Sequence, residues 1–189
     1  MNHNQIIELQ KRVGATPDGF WGPKSIKACE DHLRSLMPVD HPWPTQDQGA
    51  LTRFYGRPGE ESFLVKLEVS DLGMRYDGRD VKSIRCHHKV APSLRAILER
   101  ISKTPHAWVL KEFAGVYNNR PMRGGSLPSL HARGAAIDLA PSTNGNREHW
   151  PSRSNMLIEV MELFAKEGAM PAGAFWSRDA MHFQFTSPF

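Results

Sequence analysis

Two short stretches constrain this chain more than anything else in it. In "SLHARGAAIDLA", Ser129 to Ala140, an apolar run bounded by Gly134 and Pro141 is interrupted by a single carboxylate. Side chains alternate along a strand, so Ala136 and Asp138 share one face while Ile137 and Leu139 share the other. The carboxylate then projects from a sheet among small neighbours, with room for something to bind. His131 precedes the strand on a loop, and Gly134 lets that loop fold back until both side chains converge. In "DAMHFQF", Asp179 to Phe185, a strand beginning near Met181 puts His182 and Gln184 on one face and turns Phe183 and Phe185 into the core. Taken alone, His131 and Asp138 suit a structural ion pair or a solvated loop as well as a site.

The second stretch changes that balance. Two histidines and one carboxylate are a common ligand set for catalytic zinc, three protein ligands leaving a fourth position for water. Asp179, three residues before His182, is then a second carboxylate near the metal and a natural general base. The other histidines lack such a pattern. Cys86, His87 and His88 in "CHHK" are adjacent, and adjacent side chains point to different faces, so they do not readily share one ion. His3, His32, His41, His106 and His149 read as surface or capping residues.

The two stretches together resemble the zinc peptidases that act on peptidoglycan stems, the D-Ala-D-Ala carboxypeptidase and L-Ala-D-Glu endopeptidase superfamily. Its first pattern, Ser-x-His-x-x-Gly-x-Ala-x-Asp, is matched by Ser129, His131, Gly134, Ala136 and Asp138. Its second, an acid, two residues, histidine and an aromatic, is matched by Asp179, His182 and Phe183. The resemblance implies one Zn2+ per chain held by His131, Asp138 and His182, with Asp179 as catalytic base. It also implies an arginine upstream of the first motif that holds the substrate carbonyl. Of the two in "GVYNNRPMRGGS", Arg120 is preferred for that role, leaving Arg123 and Ser129 as further substrate contacts. One departure is Gln184, where many relatives have glutamate. A neutral amide can orient its neighbour but brings no negative charge to the metal's surroundings.

The front of the chain resembles the cell-wall-binding modules built on Leu-Gln-x-x-Leu-Gly and Asp-Gly-x-x-Gly. Leu9-Gln10, Val13-Gly14, Asp18-Gly19, Gly22 and Ser25 carry that likeness, and Asp18, Gly19, Trp21 and Gly22 are the expected wall contacts. Residues 1–37 are expected to form two helices. Asn4 would cap the first and Gly14 end it, while Pro23 would open the second, whose apolar face is Ile26, Cys29, Leu33 and Leu36. A helical hairpin that merely covers the catalytic core would fit the same residues. Residues 38–49 contain three prolines without periodicity and read as a linker.

The catalytic domain spans residues 50–189. "APSLRAILERI" predicts a helix with Leu94, Ile97, Leu98 and Ile101 on one face, and "AWVLKEF" predicts a strand. "SRSNMLIEVMELFAKEG" predicts a second helix ending at Gly168. The expected fold class is α+β: a small antiparallel sheet with flanking helices carrying the zinc site, preceded by the short helical module.

Composition sets the outer limits. The chain is 40% hydrophobic and 23% charged, as folded proteins are, and no apolar run is long enough for a membrane span. Its formal charge of +4 favours anionic partners, but no basic stripe with interleaved aromatics argues for nucleic acid. Two cysteines, Cys29 and Cys86, argue against a disulfide scaffold and fit a reducing cytoplasm. No leader-like segment opens the sequence. The expectation is therefore a monomer made in the cytoplasm without a signal peptide. It would act on peptidoglycan in the wall or periplasm after holin-dependent export, as a phage or prophage endolysin cutting L-Ala-D-Glu. A wall-remodelling D-Ala-D-Ala carboxypeptidase and a non-catalytic zinc-containing wall-binding protein are the alternatives.

Overall fold

The computed structural model of the chain describes residues 1–188, and its front is a pair of helices, α1 (His3–Arg12) and α2 (Pro23–Leu36). The cap of α1 is Asn2, not the expected Asn4. Asn2 and Gln5 form a reciprocal capping box, each side chain accepting from the other's backbone N–H. Gly14 closes the helix at φ +75°, and Pro23 stands at the first turn of α2, as their chemistry predicts. The turn between the helices is organised by Gln10, which is fully buried. Its amide donates to Asp18 Oδ1 at 2.8 Å and Phe20 O at 2.9 Å, and accepts from Gly19 N at 2.8 Å.

α3 (Gln48–Tyr55) follows, capped by Asp47. Two small antiparallel ribbons come next, β1 (Leu64–Glu68) with β4 (Ser83–His87) and β2 (Arg75–Tyr76) with β3 (Arg79–Asp80). α4 (Ala91–Ser102) buries Leu94, Ile97, Leu98 and Ile101 completely, the face its periodicity predicts. β5 (Phe113–Gly115), β6 (Ala136–Leu139), α5 (Pro141–Asn144), α6 (Ile158–Ala165), β7 (Met170–Pro171), α7 (Ala172–Trp176) and β8 (His182–Gln184) complete the chain. The main sheet is antiparallel with strand order β5-β6-β8-β7. The α+β class with a small antiparallel sheet is therefore observed. Among the described residues no helix is long and apolar enough to cross a membrane.

Phe183 and Phe185 turn inward and are fully buried, with Phe183 stacked on Phe164 of α6 at 3.9 Å between ring centres. Each such side chain contributes roughly 1.5–3 kcal/mol of burial. This packing faces the opposite side of β8 from His182, so the core clamps the strand that carries the histidine.

Three further expectations change. "AWVLKEF" is a 3-10 helix over Ala107–Glu112, and only Phe113 joins the sheet. Its bulky residues favour a strand, but the segment must turn between α4 and the sheet edge, and the burial of Val109 and Leu110 there outweighs propensity. The helix expected across 152–168 begins only at Ile158. Buried Asn144 takes hydrogen bonds from Ser154 Oγ, Asn155 N and Met156 N, which holds that segment in a loop. His32 is half-buried and not free: it lies 2.8 Å from Glu162, to which Arg12 also donates twice at 2.7 Å. These contacts tie α1 and α2 to α6.

The proline-rich stretch 38–47 contains no helix or strand, yet it is anchored. Trp43 is buried, donates to Glu167 O at 2.6 Å and packs edge-on against Phe185.

Candidate metal centre

β6 and β8 pair so that Asp138 and His182 are direct cross-strand partners. His131 arrives from a short 3-10 helix, Leu130–Arg133, whose last turn closes on Gly134 at φ +66°. A Cβ at Gly134 would lie 2.9 Å from His87 N, so the loop that delivers His131 requires glycine for both conformation and space. Ser129 caps that helix, its hydroxyl accepting from His131 N at 3.3 Å.

Three buried ligand atoms converge. His131 Nε2 lies 3.2 Å from both Asp138 Oδ1 and His182 Nδ1, and His182 Nδ1 lies 2.9 Å from Asp138 Oδ1. Among the described residues this is the group of histidines and acids close enough to share an ion. Ligands around a tetrahedral zinc with bonds near 2.0–2.1 Å stand roughly 3.3 Å apart, close to these separations.

The outer partners fix which nitrogen faces inward. His131 Nδ1 lies 2.7 Å from Val116 O, so it carries the proton and leaves Nε2 a bare lone pair. His182 Nε2 lies 3.2 Å from Gln184 Oε1, which sets the opposite tautomer and points Nδ1 at the centre. Gln184 is itself oriented, its amide donating to Thr186 Oγ1 at 2.8 Å. With both imidazoles neutral in these tautomers, three acceptor atoms face one another, an arrangement that a cation or an added proton must satisfy. The residues present fit a zinc ion.

Charge follows the geometry. Burial pushes the Asp138 carboxyl upward, but hydrogen bonds and charge from the two imidazoles outweigh it and hold it well below the usual range. Burial pushes His182 down, and Asp138 with Asp179 more than reverses this. Asp179 is raised by burial first and by Asp138, against the pull of His182 and Arg123. It stands at φ +60°, and its Oδ1 is buried with no hydrogen-bond partner. Such strain and such an unpaired atom occur together at functional sites.

The triad sits where two openings meet. A cavity of about 740 Å³ is lined by His182, Asp179, Ser129 and Gln184, and one of about 360 Å³ by His131 and Tyr117. Arg120, Arg123, Asp138 and Met181 border both. A groove of about 830 Å³ between α1 and α6 is larger, but holds no histidine, and its Arg12 and Glu159 are already paired.

Residues 123–185 match the family model described as D-alanyl-D-alanine carboxypeptidase. That match covers a third of the chain and supports a likeness of this segment to the zinc D-Ala-D-Ala carboxypeptidase superfamily. The superfamily match holds all three ligand candidates and Asp179, and leaves α1, α2 and Arg120 outside it. Neither the curated proteins nor the solved structures contain a significant match to the chain.

The other expected residues fall elsewhere. Asp18 and Gly19 belong to the Gln10 network, Gly22 precedes α2, and Trp21 packs edge-on against Trp150 at 5.5 Å. In "CHHK", Cys86 and His87 are buried, while His88 is exposed and stacks on His87 at 4.5 Å. Burial pushes His87 down to about 4 and the Cys86 thiol up to about 12, so neither is charged near neutral pH. Sequence reasoning missed Trp176, whose ring lies parallel to His182 at 5.7 Å, and Arg147 and Arg178 on the cavity wall. The signal was thin: Trp176 and Arg178 stand immediately before Asp179, in "WSRD".

Proposed function

We propose that the chain is a zinc-dependent peptidoglycan peptidase that hydrolyses a stem-peptide bond. The observation that carries this reading is the convergence of His131, Asp138 and His182 beside the unpartnered carboxylate oxygen of Asp179. When bound, zinc supplies Lewis acidity, polarising a carbonyl and making water acidic near neutral pH. Asp179 accepts the proton of the attacking water. The same carboxyl then returns that proton to the leaving amine. Arg120 commits one of its donors to Pro121 O and borders both cavities. Its remaining donors are assigned to the carbonyl oxygen as charge develops there, a role worth ~2.7–4 kcal/mol.

The finer assignment is an endopeptidase cutting L-Ala-D-Glu, in the setting of phage lysis. Openings on both sides of Asp138 support a substrate that continues past the scissile bond in each direction. The family description favours the second reading, a carboxypeptidase removing terminal D-Ala. Digestion of purified sacculi followed by mass spectrometry of the released muropeptides separates them. New fragments ending in L-Ala support the endopeptidase, and free D-Ala supports the carboxypeptidase. No released product from zinc-loaded protein overturns the peptidase reading.

A further inference from the structure

The wall of the larger cavity beyond the metal centre is built from two loops held together. His149 and Arg178 form an antiparallel bridge, and Trp150 N donates to Ser177 O at 3.1 Å. Trp150 is buried and anchors the pair by donating to Met156 O at 2.8 Å. Ser177 at φ +55° and Asp179 at φ +60° flank Arg178, so the backbone bends sharply on either side of that residue. Arg147, from the facing loop, lines the same cavity.

The charge of this wall is one-sided. Four arginines border the cavity, Arg120, Arg123, Arg147 and Arg178, and its only acids are Asp138 and Asp179 at the metal end. Among the described residues none of the four is in an ion pair with a carboxylate, and all four border one cavity. Unpaired guanidinium groups on a concave wall attract anions and suit the flat, two-pronged geometry of a carboxylate. Trp176, 39% exposed and stacked on His182, gives the same wall an apolar face between the arginines and the metal.

We propose that Arg147 and Arg178 form a subsite for a free carboxylate on the substrate, outside the bond that is cut, and so select an acidic peptide over its amidated counterpart. The inference rests on the peptidase reading for the identity of the peptide, but binding tests it without turnover. The probes are two stem peptides identical except that one side-branch carboxylate is a carboxamide, which keeps the shape and removes the charge. Binding is followed by tryptophan fluorescence, to which Trp176 contributes from within the cavity.

The zinc-loaded protein is expected to bind the acidic peptide about tenfold more tightly, the scale of a charge-assisted hydrogen bond. The preference should shrink as salt is raised. In Arg147→Gln/Arg178→Gln, checked for a native circular dichroism spectrum and zinc content, the ratio of affinities should fall to about one. Equal affinities in the unmodified protein, or a preference that survives the double substitution, overturn the subsite. If the variant misfolds, Arg147→Lys and Arg178→Lys singly, which keep charge but lose the two-pronged geometry, must each reduce the preference. Selective binding without hydrolysis of either peptide leaves the subsite standing and removes the peptidase reading instead.

Discussion

Asp138 and His182 stand opposite each other on adjacent antiparallel strands, and Asp138 Oδ1 lies 2.9 Å from His182 Nδ1. Register alone brings the two side chains to one spot, and Phe183 and Phe185, on the opposite face of the same strand, hold that register from the core. His131 joins them only because the chain turns at Gly134. The centre is thus fixed by one strand pairing and one glycine.

Gly134→Ala should therefore damage both fold and site. It places a Cβ against His87 N in a left-handed conformation, which costs at least ~1 kcal/mol. Thermal unfolding should shift down by about 2–4 °C or more, and zinc affinity should fall with it. An unchanged Tm would show that the loop relaxes freely.

Asp179→Ala removes the proposed base and leaves His131, Asp138 and His182 intact. Turnover should fall ~10²–10⁴-fold, the usual contribution of a positioned proton-transfer group, with zinc content unchanged. Near-normal turnover would remove Asp179 from the chemistry.

Gln184 orients His182 without touching the centre. Gln184→Ala frees the ring and should weaken zinc binding ~10–100-fold in competition with a chelator. Gln184→Glu restores a charged acceptor for His182 Nε2–H and should bind zinc at least as tightly as the unmodified protein. Equal affinities in all three would show that the hydrogen bond has no bearing on the metal.

The contact between the helical front and α6 should be acid-sensitive. Burial raises the Glu162 pKa, but hydrogen bonds from Arg12 and His32 outweigh it, so its folded value lies below the ordinary 4.5. A depressed carboxylate contributes stability that is fully present above its unfolded pKa and lost as pH falls through the folded one. Urea unfolding of the wild type should thus weaken as pH drops below about 4.5, and Glu162→Gln should show a shallower loss over the same window. Parallel slopes would place the acid sensitivity elsewhere.

Much of this was legible in the sequence because it depends on local pattern. The alternation around Asp138 and His182 marks both strands and the facing of both side chains, and the spacing in "APSLRAILERI" marks α4 with its buried face. What could not be read is set by contacts distant in sequence. Asn144 holds residues 154–156 out of the helix, 10 to 12 positions away. Glu162 recruits His32 across 130 positions. Gln10, part of the motif at the front of the chain, braces the turn that carries Asp18 and Gly19. Arg147 and Arg178 line one cavity because two loops bridge, and no periodicity announces that.

Zinc content tests the central claim most directly. Elemental analysis of the wild type and of His182→Ala, purified side by side, should give about one zinc per chain in the first and a large loss in the second. Wild type prepared with zinc available and still free of it, or a variant that keeps its full content, would contradict a metal held by His131, Asp138 and His182.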